Sequence, residues 1–315
     1  MDFRTAVHPE ILEAMDKTPD ELMALIAENP VAVRSMLAEM QEQRPPIGGG
    51  LPVEASETHC PGPAGEIPLY VYQPATSAPR PAMLWIHGGG YLVGHGKDEW
   101  AIPFSHHAGC TVVSVDYRLA PEHPFPAGPE DCYAALLWMI DNADSLGIDP
   151  ARIAIGGASA GGGMAAGVAL MNRDRGGPEL VFQLLLYPMI DDTHDTPSGH
   201  WVRYPKVWNR EVSLKAWAMY LGDKHQGDVS PYAAATRAKD LGKLPPAFIC
   251  VGSADLFRDE NIDYAKRLLA AGVPTELAVY AGLSHGAEYA APEVEVCKRI
   301  RSDYYSALAR AFSRT

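Results

Sequence analysis

The chain has 315 residues, 47% of them hydrophobic and 21% charged, a composition typical of a soluble globular protein with room for one large α/β domain. A formal net charge of −13 argues against nucleic acids and anionic membrane surfaces as partners, because these bind to basic faces. The sequence contains no run of about 18 apolar residues and no apolar leader, so we expect neither a membrane span nor a secretory signal.

The N-terminal part of the chain is predicted to be helical. Apolar residues recur at helical spacing around residues 11–15, 22–26 and 33–40, which indicates three short helices. The Pro- and Gly-rich run at residues 44–50 is typical of a linker. We therefore place a domain boundary near residue 48.

Beyond the linker, predicted strands alternate with predicted helices. Short apolar or alternating runs predict strands at residues 67–72, 82–86, 111–115, 153–155, 180–186, 248–251 and 276–280. Helical segments are predicted near residues 131–142, 160–172, 259–271 and 292–311. This alternation predicts an α/β fold with a largely parallel sheet covered by helices on both faces.

Residues 188 to about 230 interrupt the alternation, because they follow a strand without forming one clean crossover helix. They contain three of the 6 tryptophans, Trp201, Trp208 and Trp217. We interpret the segment as an insertion over the catalytic face. Its aromatic rings either anchor the insertion to the core or contact substrate, and the pattern leaves both roles open.

The strongest chemical signal is the G-x-S-x-G motif centred on Ser159. It lies between a predicted strand and a predicted helix, the context of a nucleophile elbow, in which a tight turn exposes the serine. The run from Gly161 to Ala166 also matches the G-x-G-x-x-A pattern of dinucleotide-binding proteins. That alternative lacks an acidic residue at the end of the next strand to bind a ribose.

Three further groups complete a candidate hydrolase site. A run of three glycines after His87, ending at Tyr91, follows a strand and can supply free backbone amides to an oxyanion, although a tight turn explains it as well. Asp255 and His285 each follow a predicted strand, and the chain order serine, aspartate, histidine is that of α/β-hydrolases. Asp259 is a second candidate acid, but it lies where a helix begins, a position that favours acids for local reasons.

Metals and cofactors are not expected. The 11 histidines show no HExxH motif, and His106 and His107 are expected on a helix or loop surface. The five cysteines are scattered without a CxxC motif, which indicates free thiols and a reducing, cytoplasmic location.

Four motifs together resemble the hormone-sensitive-lipase-like family of bacterial esterases. They are HGGGY at 87–91, DYRLAPEHPFPA at 116–127, GASAGGG at 157–163 and DLFRDE at 255–260, and their spacing is like that of the family. One departure is Ala158, since the family usually has Asp or Thr directly before the nucleophile. Its absence removes a polar side chain that could steady the elbow.

The resemblance implies an α/β-hydrolase fold with an eight-stranded, mostly parallel sheet. It implies a cap built from residues 1–48 and the insertion near 188–230, on a catalytic domain spanning 49–315. It also implies an oxyanion hole formed by the amides of Gly88, Gly89 and Ala160, with Arg118 and Glu122 as structural supports. Members need no cofactor and often form homodimers through an edge strand.

We therefore expect a serine carboxylesterase that acts on small esters of about two to eight acyl carbons through an acyl-enzyme. The catalytic residues are Ser159, His285 and Asp255, and apolar side chains of the cap are expected to set chain length. The expected pocket residues are Tyr91, Met36, Met40, Trp201, Trp208 and Trp217. A lactonase or amidase with the same triad stays open, whereas a non-catalytic receptor is disfavoured because His285 is present.

Overall fold

A computed structural model describes residues 2–42, 48–98, 100–223 and 227–313. One eight-stranded sheet forms its centre, with the strand order β1-β2-β4-β3-β5-β6-β7-β8. The strands are β1 Val53–Gly62, β2 Gly65–Pro74, β3 Arg80–Ile86, β4 Thr111–Val115, β5 Ile148–Ala158, β6 Phe182–Leu186, β7 Ala247–Gly252 and β8 Thr275–Tyr280. β2 pairs antiparallel with β1 and β4, and all other pairs are parallel. The expected α/β fold with a mostly parallel sheet is confirmed.

Thirteen helices accompany the sheet in the described ranges. They are α1 Phe3–Ala6, α2 Pro9–Asp16, α3 Leu22–Glu28, α4 Pro30–Glu42, α5 Ala101–Ala108, α6 Ala127–Asp141, α7 Ala143–Leu146, α8 Ala160–Asp174, α9 Pro197–Trp201, α10 Arg210–Leu221, α11 Arg258–Ala270, α12 Ala287–Ala290 and α13 Glu295–Ser313. α5 packs against α13, and α6 packs against α8. Every residue of β4, β6 and β7 is buried, since helices cover central parallel strands on both sides.

The sequence did not predict β1 and α5. Most β1 residues are exposed, so the strand lacks the apolar alternation by which strands are recognised, and its pairing with β2 holds it in place. β5 is longer than predicted, because residues 149–151 near its start are not buried and so give no apolar signal. Surface strands of this kind are stabilised by pairing rather than by their own apolar pattern.

The N-terminal helices contact the segment that follows β6. α3 packs against α10, Phe3 stacks on Tyr204 with ring centroids 5.3 Å apart, and Arg4 donates a 2.8 Å hydrogen bond to the Tyr204 hydroxyl. The predicted linker at 44–50 falls mostly on residues 43–47, which lie outside the described residues. The boundary near residue 48 stays a prediction.

Over the residues that the structure describes, none of the helices has both the length and the apolar character needed to cross a membrane. All five cysteines are buried, and none of them forms a disulfide.

Candidate active site

Ser159 lies in the sharp turn between β5 and α8. Its φ of 57° and ψ of −121° are strained for a residue with a side chain, and they place the hydroxyl at the carboxyl edge of the sheet. A Cβ at Gly157 would lie 2.3 Å from the Gly161 carbonyl oxygen, and one at Gly161 would lie 2.0 Å from the Ile86 oxygen. Glycine is therefore required on both sides of the serine.

A chain of hydrogen bonds joins Ser159, His285 and Asp255. Ser159 Oγ is 2.9 Å from His285 Nε2, and His285 Nδ1 is 2.8 Å from Asp255 Oδ2. The second Asp255 oxygen accepts a 2.9 Å hydrogen bond from the Phe257 amide, and the residue is fully buried. A carboxylate facing Nδ1 favours the tautomer with the proton on that nitrogen, which leaves Nε2 free to accept the hydroxyl proton.

Two adjacent loops bring the acid and the histidine together. The loop after β7 carries Asp255, and the loop after β8 carries His285. The Ala254 amide donates a 3.0 Å hydrogen bond to the Leu283 carbonyl. A Cβ at Gly252 would lie only 2.0 Å from the same oxygen, so a glycine permits this close approach.

Asp259 is not part of this chain. Its Oδ2 accepts a 2.8 Å hydrogen bond from the Ser198 amide, and its Oδ1 accepts a 2.7 Å bond from Arg258 Nε. Asp259 lies in the first turn of α11, as the sequence indicated. Its carboxylate nevertheless holds α9 of the segment after β6, a tertiary contact that the helix-start argument did not foresee.

Two aromatic rings pack edge-on against the His285 imidazole. The Tyr187 ring centroid is 5.0 Å away and that of Phe257 is 4.9 Å away. The Tyr187 hydroxyl donates to Glu288, whose carboxyl has a raised pKa because it is buried among apolar rings. The sequence analysis missed these residues, although Tyr187 and Phe257 both follow strands that end at the catalytic edge.

The glycine loop lies beside the serine. A Cβ at Gly88 would lie 2.9 Å from the Ala158 carbonyl oxygen and 3.4 Å from Ser159 Cβ. The Gly88 and Gly89 amides donate to no other residue in the described ranges. Ala160 begins α8, so its amide has no acceptor within the helix. These three amides are therefore available to a negatively charged oxygen near Ser159.

Comparison with known proteins decides the family. A family model described as alpha/beta hydrolase fold matches residues 83–288, more than half of the chain. The chain belongs to this α/β-hydrolase family. Esterase LipI of Mycobacterium tuberculosis is 37% identical over 290 residues, which cover 90% of this chain and 89% of LipI. Carboxylesterase NlhH of the same species is 42% identical over 226 residues, covering 70% and 71%.

Solved structures agree with the sequence relatives. A structure titled Bacterial Heroin Esterase has a TM-score of 0.89, with 37% identity over 98% of each chain. A thermostable esterase from Pseudomonas putida has a TM-score of 0.88 and 28% identity, again over 98% of each chain. The resemblance to hormone-sensitive-lipase-like esterases is thereby confirmed.

The aromatic residues expected in the pocket of this hydrolase occupy different environments. The Trp208 ring lies over the glycine loop, where a Cβ at Gly90 would come within 2.1 Å of it. Trp217 is fully buried behind Tyr91, with ring centroids 5.2 Å apart. Tyr91 itself stacks on Tyr220 at 3.9 Å. Of these rings, Trp208 contacts the loop next to the nucleophile, whereas Trp217 supports that loop from within the core.

The other three expected pocket residues lie farther out. Trp201 is half-buried and packs against Phe3. Met36 is 38% exposed, and Met40 is half-buried on the same helix. The role of these three side chains in the pocket stays a prediction.

A second serine–histidine contact lies outside the candidate site. Ser213 Oγ is 2.7 Å from His194 Nε2, and His194 Nδ1 is 3.5 Å from a Glu260 carboxylate oxygen. All three side chains are buried, so a substrate cannot reach them. Burial lowers the pKa of His194 to about 3, which keeps the ring neutral. We assign this group a structural role.

No group of three or more His, Cys, Asp or Glu side chains in the described ranges is arranged to hold a metal ion. His106 and His107 lie in the last turn of α5, and the His107 ring stacks on Tyr305 at 4.7 Å. The Gly161–Ala166 run lies inside α8, directly behind the serine turn. Its glycines serve close packing there, since a Cβ at Gly163 would lie 1.9 Å from the Met189 oxygen.

Proposed function

We propose that this chain, a carboxylic-ester hydrolase, transfers the acyl group of its substrate to Ser159 and then to water. The relatives named esterase and carboxylesterase support ester hydrolysis. The observation that carries the mechanism is the hydrogen-bonded chain from Ser159 through His285 to Asp255, at the edge where the glycine loop leaves its amides free.

In the first half-reaction, Ser159 Oγ attacks the ester carbonyl carbon while His285 Nε2 takes the hydroxyl proton. Asp255 stabilises the resulting imidazolium through its bond to Nδ1. The oxyanion receives hydrogen bonds from the amides of Gly88, Gly89 and Ala160, each worth roughly 2.7–4 kcal/mol in hydrolases of known mechanism. The imidazolium then gives its proton to the departing alcohol, which leaves an acyl group on Ser159.

In the second half-reaction, a water molecule replaces the alcohol. His285 removes a proton from this water as its oxygen attacks the acyl carbon, and the same amides stabilise the second oxyanion. Return of the proton to Ser159 Oγ releases the carboxylic acid.

The position of Trp208 supports the proposed substrate class. Trp208 packs over Gly90, two residues beyond Gly88, so an apolar wall lies close to the reacting atoms. A wall of this kind limits the room for an acyl chain. This arrangement supports esters of about two to eight acyl carbons rather than long-chain fats.

We further infer a reducing, cytoplasmic setting and a homodimer. Five buried thiols without a disulfide support the compartment. An exposed edge strand supports the dimer, since Val279 of β8 is 44% exposed. Fractionation of the source cells tests the compartment, and light scattering of the purified chain tests the dimer.

Hydrolysis of a series of p-nitrophenyl esters, together with a lactone and an anilide, tests the proposed activity. We expect the highest kcat/KM for the short esters and a loss approaching a million-fold in Ser159→Ala, as for other triad nucleophiles. Thermal unfolding of the variant should match that of the wild type. Retention of more than about a hundredth of the activity contradicts the assignment of Ser159, and preference for the lactone or anilide contradicts the substrate class.

A further inference from the structure

Arg34 connects the N-terminal helix α4 to two loops beside the candidate site. Its Nε donates a 2.9 Å hydrogen bond to the Leu92 carbonyl oxygen, and its Nη2 donates a 2.8 Å bond to the Ala120 carbonyl oxygen. The guanidinium also forms a two-point ion pair with Glu122, at 2.7 and 2.9 Å. Only a quarter of the Arg34 side chain is exposed.

The guanidinium of Arg34 therefore donates hydrogen bonds to four acceptor atoms, and none of these atoms lies on α4. Arginine suits such a site because its planar fork can bind a carboxylate and backbone carbonyls at the same time. The Arg34 guanidinium holds the pKa of the Glu122 carboxyl below its usual range. Both members of this ion pair are therefore charged near neutral pH. A salt bridge that served only to join two surface elements would not need the two backbone carbonyls.

The loop that Arg34 contacts is the one that carries the free glycine amides. The Leu92 and Val93 amides both donate to the Gly89 carbonyl oxygen, at 3.1 and 3.0 Å. The Ala120 amide donates a 3.0 Å bond to the Tyr91 carbonyl. The glycine loop and the Ala120 segment are therefore joined by this backbone hydrogen bond. Arg34 joins them a second time, because it binds the carbonyl oxygens of both Leu92 and Ala120.

This loop has a conformation that needs external support. Gly89, Gly90 and Tyr91 have φ values of 113°, 63° and 67°, three consecutive residues outside the ordinary backbone regions. Tyr91 carries a side chain in the left-handed region, a conformation that persists only where the surroundings impose it. The Tyr91 ring is fixed in the core by stacking on Tyr220, and Arg34 binds the backbone carbonyl of the next residue, Leu92.

We propose that Arg34 is a positioning residue for the oxyanion hole, holding the Gly88 and Gly89 amides at the distance from Ser159 that the transition state requires. The proposal rests on the function proposed above. If Arg34 has this role, the protein reaches its full catalytic rate only when α4 is docked on the glycine loop and the Ala120 segment. A displacement of about 1 Å in a catalytic group can cost roughly a hundredfold in rate.

The test is Arg34→Met, which keeps an apolar stem and removes all four hydrogen bonds. We expect kcat to fall roughly tenfold to a hundredfold with KM little changed, because the oxyanion bonds form only in the transition state. The rate of inactivation by a fluorophosphonate should fall by the same factor, since its attack by Ser159 forms a similar charged oxygen. All assays are run well below the melting temperature of each variant, so that a purely structural role leaves kcat unchanged.

Two further variants sharpen the test. Arg175→Met breaks an equivalent two-point pair with Glu130, at 2.9 and 2.6 Å, at the opposite end of α8 from Ser159, and should leave kcat within about twofold of wild type. Glu122→Gln keeps both backbone contacts of Arg34 and should cost less than Arg34→Met. If Arg34→Met does not fold, Arg34→Lys replaces it and should show an intermediate loss, because lysine cannot reach all four acceptors.

The outcomes separate the inference from the proposed function. A kcat for Arg34→Met within about twofold of wild type, or a rise in KM alone, overturns the positioning role. Equal losses in Arg34→Met and Arg175→Met overturn it as well. If Ser159→Ala is inactive while Arg34→Met is normal, only this inference fails. If Ser159→Ala stays active, the proposed function fails with it.

Discussion

Replacing Asp255 by asparagine removes one charge while keeping the shape of the side chain. In the wild type, one Asp255 oxygen accepts the Phe257 amide at 2.9 Å and the other faces His285 Nδ1 at 2.8 Å. The Phe257 amide can only donate, so the asparagine oxygen stays with it and the asparagine NH2 group faces Nδ1. An N–H donor at that position selects the tautomer with the proton on Nε2, which cannot accept the Ser159 proton.

The magnitude follows from this tautomer change. The same substitution in a serine protease lowers kcat about ten-thousandfold, equivalent to about 5 kcal/mol of activation free energy. We predict a decrease in kcat of roughly a thousand- to ten-thousandfold with KM little altered. Steady-state hydrolysis of p-nitrophenyl butyrate at about pH 8 measures it, with active sites counted by fluorophosphonate titration.

Asp259→Asn is the matched control, the same charge change four residues along the chain. Its carboxylate bonds to the Ser198 amide and Arg258, so we expect a stability loss on the order of 1 kcal/mol in urea unfolding and nearly normal kcat. A reversal, with Asp259→Asn inactive and Asp255→Asn active, would refute the reasoning and require Asp259 as the orienting acid.

Three further predictions concern pH and specificity. A histidine base must be neutral to act, so kcat/KM should fall in acid, and a profile that stays flat to about pH 4.5 contradicts His285 as the base. Burial lowers the pKa of His194 to about 3. Below about pH 6.5, His194 therefore binds a proton in the unfolded chain but not in the folded chain. As the pH falls from there toward 3, the free energy of unfolding decreases by up to about 1.4 kcal/mol per pH unit because of this residue. His194→Gln should make the acid slope of the unfolding free energy shallower, and an unchanged slope contradicts this account. Trp208→Ala should raise the ratio of decanoate to butyrate hydrolysis by opening space over Gly90, and an unchanged ratio contradicts the role of Trp208.

The proposed catalytic residues could be predicted because each follows a strand of a parallel sheet. The carboxyl ends of such strands share one edge, so the predicted strands before Ser159, Asp255 and His285 imply that the three side chains meet. The structure has the corresponding strands in β5, β7 and β8. Strand β1 could not be predicted in this way, because it is stabilised by pairing with β2 and not by an apolar face.

Residues that act through distant partners left no local signal. Arg34 and Glu122 lie 88 residues apart, and an arginine on an amphipathic helix is ordinarily a solvent-exposed residue. Tyr187 and Glu288 are 101 residues apart, and their hydrogen bond exists only in the folded chain. Predicting such contacts requires the folded arrangement of loops, which periodicity and motif spacing do not contain.

The most direct test of the central claim is to inactivate the protein with a fluorophosphonate and locate the adduct by peptide mass spectrometry. The account predicts one adduct per chain, on Ser159, formed in step with the loss of esterase activity and absent from Ser159→Ala. Complete inactivation with the adduct on another residue would contradict it.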